Sequence, residues 1–404
     1  MHSSLFRSAL VLGLLSAIGP FSIDMYLPAL PDIGRDLQAP ETAVQLTISL
    51  YFLAFGVSQF IWGPLADAYG RKLPLVLGIL IFAAGTVACA FAPSIGWLIA
   101  ARFLQGIGGA AVGVVPRAVI RDRYTGVEAT RLMAMVMLVI SVSPMLAPLA
   151  GSAVLAFGDW REVFLVLLLV AAMSLLVTIF ALPETLRRED RVPINLATMA
   201  RGCRRLLGSP SYMGLTFVGA FGFGSFFLFI ASASFVYSET FGLSPTEFSL
   251  AFALNALGFF AASQVAAPLG GRFGMVPVMR VALWGFALAN AALLLLVLGG
   301  FGTLPVIMSF LFVGNAFMGL VMPATFVMAL EEHGEIAGLA SSLGGTLQMV
   351  TGTLLVALTG PFFDGTPGPM VASIAACSVI ALLIGLATLR LVPEPTLRAA
   401  SAAH

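Results

Sequence analysis

The chain has 404 residues, of which 59% are hydrophobic and 10% charged, with a mean hydropathy of +1.03. A soluble domain carries about a quarter charged residues, so these charges cannot cover a water-exposed surface and the outer solvent is lipid. Twenty basic and 19 acidic residues leave a net charge of +1, a balance that argues against nucleic acid or any other polyanion as partner.

A bilayer core takes about 20 apolar residues per helix. Cutting the sequence at charges, prolines and glycines predicts twelve spans, at 5–30, 42–64, 73–91, 95–119, 129–157, 161–183, 210–238, 245–268, 276–299, 304–328, 335–360 and 368–392. The first has no small-residue cleavage site at its end and runs on through Asp24 into YLPALP, which reads as a retained span and not a removable signal. Asp24 is predicted about six residues, or roughly 9 Å, inside its outer end near Leu30. The second span closes on GPLADAYGRK, Gly63 to Lys72. The fourth carries Arg102 about seven residues, or roughly 10 Å, inside the same surface, then Gly106, Gly109 and Gly113 at helical spacing, where small residues let backbones approach closely. The fifth contains SVSPMLAPLAGS, where Pro144 and Pro148 each remove a backbone donor and bend the helix.

Residues 184–209 form a polar break with six arginines (Arg187, Arg188, Arg191, Arg201, Arg204 and Arg205) that divides the spans six and six. It reads as a linker between a first unit, 1–183, and a second, 210–404. The seventh span bears Phe217, Phe221, Phe223, Phe226, Phe227, Phe229 and Phe235; ordinary packing accounts for most such rings, and a wall of them with Tyr26 would suit flat apolar solutes. The eighth ends on APLGGRFG. With a shift of 204 residues, Pro64 falls on Pro268, Leu65 on Leu269 and Gly70 on Gly274. A repeat spanning half the chain implies two similar halves, an arrangement common in transporters. If the N-terminus is cytoplasmic, every Lys and Arg except Arg35, Arg102 and Arg161 falls on that side or in the linker, which by the positive-inside rule places both termini there.

Asp24 and Arg102 are the ionisable residues well inside spans, and such groups usually face a protein interior or a water-filled cavity. Burial favours a neutral carboxyl and a nearby cation favours an ionised one, so a carboxylate balanced between them can take up and release a proton as water access alternates. A fixed structural ion pair is the other reading, and for Arg102 the two stand level. Gln45, Gln59, Asn255, Asn315 and Gln348 are uncharged polar residues inside spans, explained equally by interhelical hydrogen bonds and by ligand contact. Cys89, Cys203 and Cys377, and His2, His333 and His404, have no ligand spacing, so neither a metal site, a disulfide nor a cofactor is expected. No acid–base pair or activated nucleophile supports an intramembrane enzyme, and nothing resembles a signalling domain.

With these residues in view, the chain resembles the major facilitator superfamily over its whole length. Its first half looks most like the Bcr/CflA group of bacterial drug-resistance exporters. SIDMYLPALPDI, VQLTISLYFLAFGVSQFIWGPLADAYGRK, RFLQGIGGAAVGVVPRAVIRD and SPMLAPLAGSAVLAFGDWREVF carry the resemblance. It implies an all-α integral membrane protein with twelve transmembrane helices in two pseudo-symmetric six-helix bundles around a central cavity, working as a monomer in the bacterial inner membrane by alternating access. On this likeness Asp24 is the proton and substrate-coupling residue, and Arg102 supports proton exchange. Gly63, Asp67, Gly70, Arg71 and Lys72 belong to a loop motif that latches the bundles in one state, and Pro144, Pro148 and Gly151 to the helix 5 antiporter motif. Tyr26, Gln45, Phe223, Phe227, Asn255 and Gln348 are the candidates for the substrate cavity. Two departures touch gating: Ala68 stands where the loop motif has a basic residue, and Ala147 and Ser152 stand where glycines are common. The implied function is proton-coupled export of small amphiphilic drugs, such as amphenicol- or bicyclomycin-like compounds. The alternative is export of a native metabolite such as a nucleobase, sugar, amino acid or polyamine, although polyamine export would favour more intramembrane acids than Asp24.

Overall fold

The computed structural model describes residues 2–124, 126–331 and 333–391, without the side chains of 2–10, 126, 127, 129–131 and 134. Arg398, the rest of 392–404, and the side chains of Arg7 and Arg131 thus lie outside the described residues. Among the described residues, twelve spans are long and apolar enough to cross a membrane. The first is built from α1 (His2–Asp24), a single 3₁₀ turn (Leu27–Ala29) and α2 (Leu30–Asp36). The next five are α3 (Glu41–Tyr69), α4 (Lys72–Ala90), α5 (Ile95–Arg123), α6 (Gly126–Leu155) and α7 (Trp160–Phe180). After the linker helix α8 (Leu196–Leu207) come α9 (Pro210–Phe235), α10 (Pro245–Phe273), α11 (Met275–Leu298), α12 (Leu304–Glu331), α13 (Ala337–Thr359) and α14 (Pro367–Thr388). They form two six-helix bundles.

The first span departs from the sequence expectation. It does not run unbroken to Leu30: α1 stops at Asp24, and the chain turns through Leu27–Ala29 before α2 carries it on to Asp36. Pro28 and Pro31 cause the break, because each lacks the N–H a continuing helix would need and each suits the first turn of a new one. Asp24 therefore ends α1 in mid-span, deeper than a straight helix ending at Leu30 would place it.

The repeat holds to the residue. The 204-residue shift carries α3 onto α10, each 29 residues long and each with its proline inside the last two turns. Both helices stop on a glycine in the left-handed region, Gly70 at φ +94° and Gly274 at φ +86°, where a Cβ is disfavoured. The linker holds a helix not foreseen from the sequence. Asn195 caps it by accepting from the Thr198 N–H, and Leu206 is its buried anchor.

The glycines of α5 set how closely its neighbours approach. A Cβ on Gly106 would meet the Tyr51 carbonyl, and one on Gly109 the Tyr51 hydroxyl, so α3 lies almost backbone to backbone on α5. Gly108, on another face, does the same for α4 at Phe82. Outside the bundles, Leu165, Leu169, Leu176, Leu288 and Leu295 point outward, as a lipid solvent requires.

Candidate functional site

The interior of the first bundle is polar around Arg102. Its side chain has no exposed surface. Nη1 donates to the Gln105 Oε1 at 2.5 Å and to the Ser22 carbonyl at 3.0 Å, a carbonyl freed because α1 ends two residues later. Gln105 in turn donates to the Thr86 hydroxyl at 2.8 Å. The guanidinium plane lies against two rings, 4.3 Å from the centroid of Tyr51 and 4.6 Å from that of Tyr26. Burying an unpaired charge costs several kcal/mol, and each such face returns about 0.5–2 kcal/mol when desolvated. Nε and Nη2 have no hydrogen-bond partner among the described residues. Asp24 is 4% exposed and, among the described residues, takes part in no side-chain hydrogen bond or ion pair. The two ionisable residues picked out from the sequence thus lie in one bundle without bonding to each other here. Tyr51, Gln105, Thr86 and Ser22 were missed. A tyrosine or glutamine in an apolar run carries no signal until the facing helix is known.

The face of the molecule that carries the linker holds a second polar junction. Arg71 donates from Nη1 to Asp67 at 2.5 Å and from Nε to Asp122 at 2.6 Å, and Nη2 reaches the other Asp122 oxygen at 3.2 Å. Burial opposes the Arg71 charge, but the bonds to Asp122 and Asp67 outweigh it and raise its pKa. Glu184 caps the start of α4, accepting from the backbone N–H of Arg71 at 2.8 Å and of Lys72 at 3.2 Å. Partial burial pushes its pKa up, yet these N–H donors with those of Leu186 and Thr185 prevail and hold it below the usual carboxylate range. Lys72 Nζ donates to the Ile179 carbonyl, and the Val192 N–H to the Asp67 carbonyl. Among the described residues, the loop motif thus makes its side-chain bonds within the first bundle and the linker. Gly63, its first residue, has open space around it. Asp122 and Glu184 complete the junction and were not foreseen.

On the opposite face the bundles are closed on each other. The Ser234 hydroxyl donates to the Leu27 carbonyl at 2.8 Å, Ser249 to Pro148 at 2.9 Å, Thr353 to Ser49 at 3.1 Å and, nearer mid-span, Thr346 to Gly56 at 2.7 Å. Each uses a backbone carbonyl of the first bundle. Phe52 and Phe227 stack across the seam, 3.9 Å between centroids and 9° between planes. Among the described residues no hydrogen bond or ion pair ties the two bundles on the linker face. Pro148 thus supplies a seam contact, Gly151 lets α6 pass against the Met25 carbonyl, and Pro144 lies part-buried in the same helix.

Of the cavity candidates, Tyr26 is fully buried, its hydroxyl 2.9 Å from that of Thr47 and its ring on Arg102. Gln45, 2% exposed in the seam, leaves Nε2 without a hydrogen-bond partner among the described residues. Asn255 donates to the Ala251 carbonyl of its own helix, and its Oδ1 has no hydrogen-bond partner among the described residues. Phe227 belongs to the seam, with Phe223 6.0 Å away on the same helix. Gln348 is half-buried on α13 against Gly219 of α9.

Comparison with known proteins agrees with this architecture. The family model described as Major Facilitator Superfamily matches residues 12–354. The chain is 35% identical to an uncharacterized MFS-type transporter, YdgK, of Bacillus subtilis over 93% of both chains. It is 30% identical to a bicyclomycin resistance protein homolog of Haemophilus influenzae, over 95% of this chain and 96% of that one. Among solved structures, the xylose transporter XylE of E. coli, in a partially occluded inward-open conformation, superposes with a TM-score of 0.73 at 15% identity, over 97% of this chain and 99% of that one, a likeness of fold alone. With twelve spans in two repeated bundles and a family match over most of its length, the chain belongs to the Major Facilitator Superfamily, as a transporter with Bcr/CflA-type efflux relatives.

Proposed function

We propose that the protein is a proton-coupled antiporter that exports small amphiphilic drugs, of amphenicol or bicyclomycin type, across a bacterial inner membrane by alternating access. The observation that carries this reading is Asp24, a buried carboxyl group that makes no side-chain hydrogen bond or ion pair among the described residues, at a helix break in mid-span, in the same bundle as the buried Arg102. A carboxyl so placed can hold a proton in one state and release it in the other, when water reaches it from the opposite side. Cytoplasmic termini, as the basic residues indicate, make the linker face cytoplasmic and the arrangement inward-facing, since the far face is the closed one. The names of the relatives support drug export. The protein acts as a monomer without cofactor, its partners being substrate, protons and lipid.

The test compares wild type with Asp24→Asn at equal membrane expression in a bacterial host stripped of its own pumps. Wild type is expected to raise tolerance to chloramphenicol or bicyclomycin several-fold and to lose that protection with an uncoupler. The variant is expected to give none. Full protection by Asp24→Asn would end the proton-coupling role, and protection against neither drug, with excretion of a cell metabolite instead, would favour metabolite export.

A further inference from the structure

One stripe of α3 faces the second bundle. Gly56 packs against Met349, the Ser49 carbonyl takes the Thr353 hydroxyl, and Gln45 Oε1 lies 3.7 Å from where a Cβ on Gly360 would stand. Glu41, one turn before Gln45, is the outermost member of that stripe. Across a cavity of about 530 Å³ on the far face it meets two acids of the second bundle: Glu239, in the turn Val236–Thr240 that closes α9, and Asp364, in the turn before α14. Glu41 Oε1 and Glu239 Oε2 each lie 3.7 Å from the point a Cβ on Gly365 would take, and the two carboxyl groups are within hydrogen-bonding reach of each other. The second-bundle side is tied together. The Thr240 hydroxyl donates to the Gly365 carbonyl at 2.8 Å, and Asp364 accepts from the Thr366 N–H at 3.0 Å and from its hydroxyl at 2.6 Å. Glu41 thus approaches a prebuilt acidic lip when the bundles close.

Two carboxylates this close repel, whereas a carboxyl group and a carboxylate form a hydrogen bond. Among the described residues Glu41, Glu239 and Asp364 make no ion pair, and Arg35 of α2, the cation lining the cavity, is bonded to Asp32. We propose that Glu41 and Glu239, with Asp364 beside them, form a pH-sensitive latch on the far face: one shared proton lets the bundles close there, and its loss drives them apart. The latch rests on the alternating-access reading and needs neither Asp24 nor Arg102. On closing, a proton from water on the far side adds to one carboxylate, and the O–H so formed donates to an oxygen of the other. On opening, that hydrogen bond breaks and the proton returns to the water. The charged groups facing Glu41 are Glu239 after α9, Asp364 before α14, and Arg35 with Asp32 from α2. Closing binds a proton, so acid on the far side favours the closed arrangement and alkali the open one.

The experiment measures the distance across the far face by pulsed electron paramagnetic resonance on the full-length protein in lipid nanodiscs. Spin labels sit on Phe157→Cys in the first bundle and Phe301→Cys in the second, both exposed positions, with Cys203, the native cysteine that is not buried, changed to serine. In wild type the ratio of closed to open molecules should fall about tenfold per pH unit through the transition, the slope for one proton. Glu41→Gln and Glu239→Gln each remove a charge and keep a hydrogen-bond donor, so each should hold the far face closed from about pH 5 to about pH 9. Asp24→Asn should leave the transition in place. A transition that survives in both glutamine variants, or that vanishes in Asp24→Asn instead, overturns the latch. One unchanging distance in wild type at every pH, with and without chloramphenicol, removes alternating access and the latch together. A distance that responds to chloramphenicol and ignores pH removes the latch alone.

Discussion

Arg102 is held by a fork and a stack at once: two acceptors for Nη1, and two aromatic faces for the plane. Lysine keeps the charge but has neither the plane nor the spread of donors. Arg102→Lys is therefore expected to lose nearly as much transport as Arg102→Ala, at least about tenfold, if one charge-assisted hydrogen bond and one ring contact are worth about 1.5 kcal/mol together. Initial rates of drug uptake into everted vesicles, at equal protein level, check this; a lysine variant near wild type would mean that the charge alone suffices. Asp24 and Arg102 were legible from the sequence because a charge in an apolar run is conspicuous. Tyr51 and Gln105 were not, because their roles exist only across the contact of α3 with α5.

Two glycines at matched places in the repeat should respond differently to the same change. Both Gly70 and Gly274 have positive φ, so Ala at either costs about 1–2 kcal/mol in backbone strain. At Gly70 the new Cβ would also run into the Glu184 carboxylate and Arg191, whereas at Gly274 its nearest neighbour is a ring carbon of Pro277 at 3.4 Å. Gly70→Ala should lower the thermal unfolding temperature in detergent more than Gly274→Ala, and equal losses would argue that the junction yields freely. Glu184 adds a pH dependence to this junction. Its pKa is lowered in the folded protein, so its contribution is present above the ordinary glutamate value and is lost as pH falls through the lower, folded one. Cleavage of the linker by an acid-tolerant protease should quicken as pH drops below about 4, and Glu184→Gln should remove most of that change. No sequence pattern marked Glu184 as a cap, because its partners start α4, more than a hundred residues earlier.

For the molecule as a whole, the far face is closed by hydrogen bonds and a ring stack, and the loop motif makes its bonds inside the first bundle. Asp67 is half exposed and free to find a second partner across the seam in the other state. Asp67→Ala should shift the population toward the arrangement seen here, closed on the far face, by removing a contact specific to one closed on the linker face. Ala68→Arg, which restores the basic residue of the motif, should do the reverse. Labelling rates of single cysteines on the linker face and on the far face report both shifts. If neither variant alters them, or both move them the same way, the loop does not act as a latch. The closed far face also brings Glu41, Glu239 and Asp364 to the rim of one cavity of about 530 Å³, a meeting of the two halves that no local pattern announces.

The sequence by itself determined the solvent, the number of spans, the division into six and six, and the repeat, because apolar length, charge placement and the demand of a tight turn for glycine are local properties. It also singled out Asp24 and Arg102, since the cost of charge in lipid depends on little beyond the run that holds it. Tertiary structure decided what those residues touch. Which rings face the guanidinium, which carboxylates meet Arg71 and which carbonyls close the far face all depend on pairs of helices far apart in the chain, whose register is set by close packing at glycines such as Gly106 and by the break that Pro28 and Pro31 put into the first span.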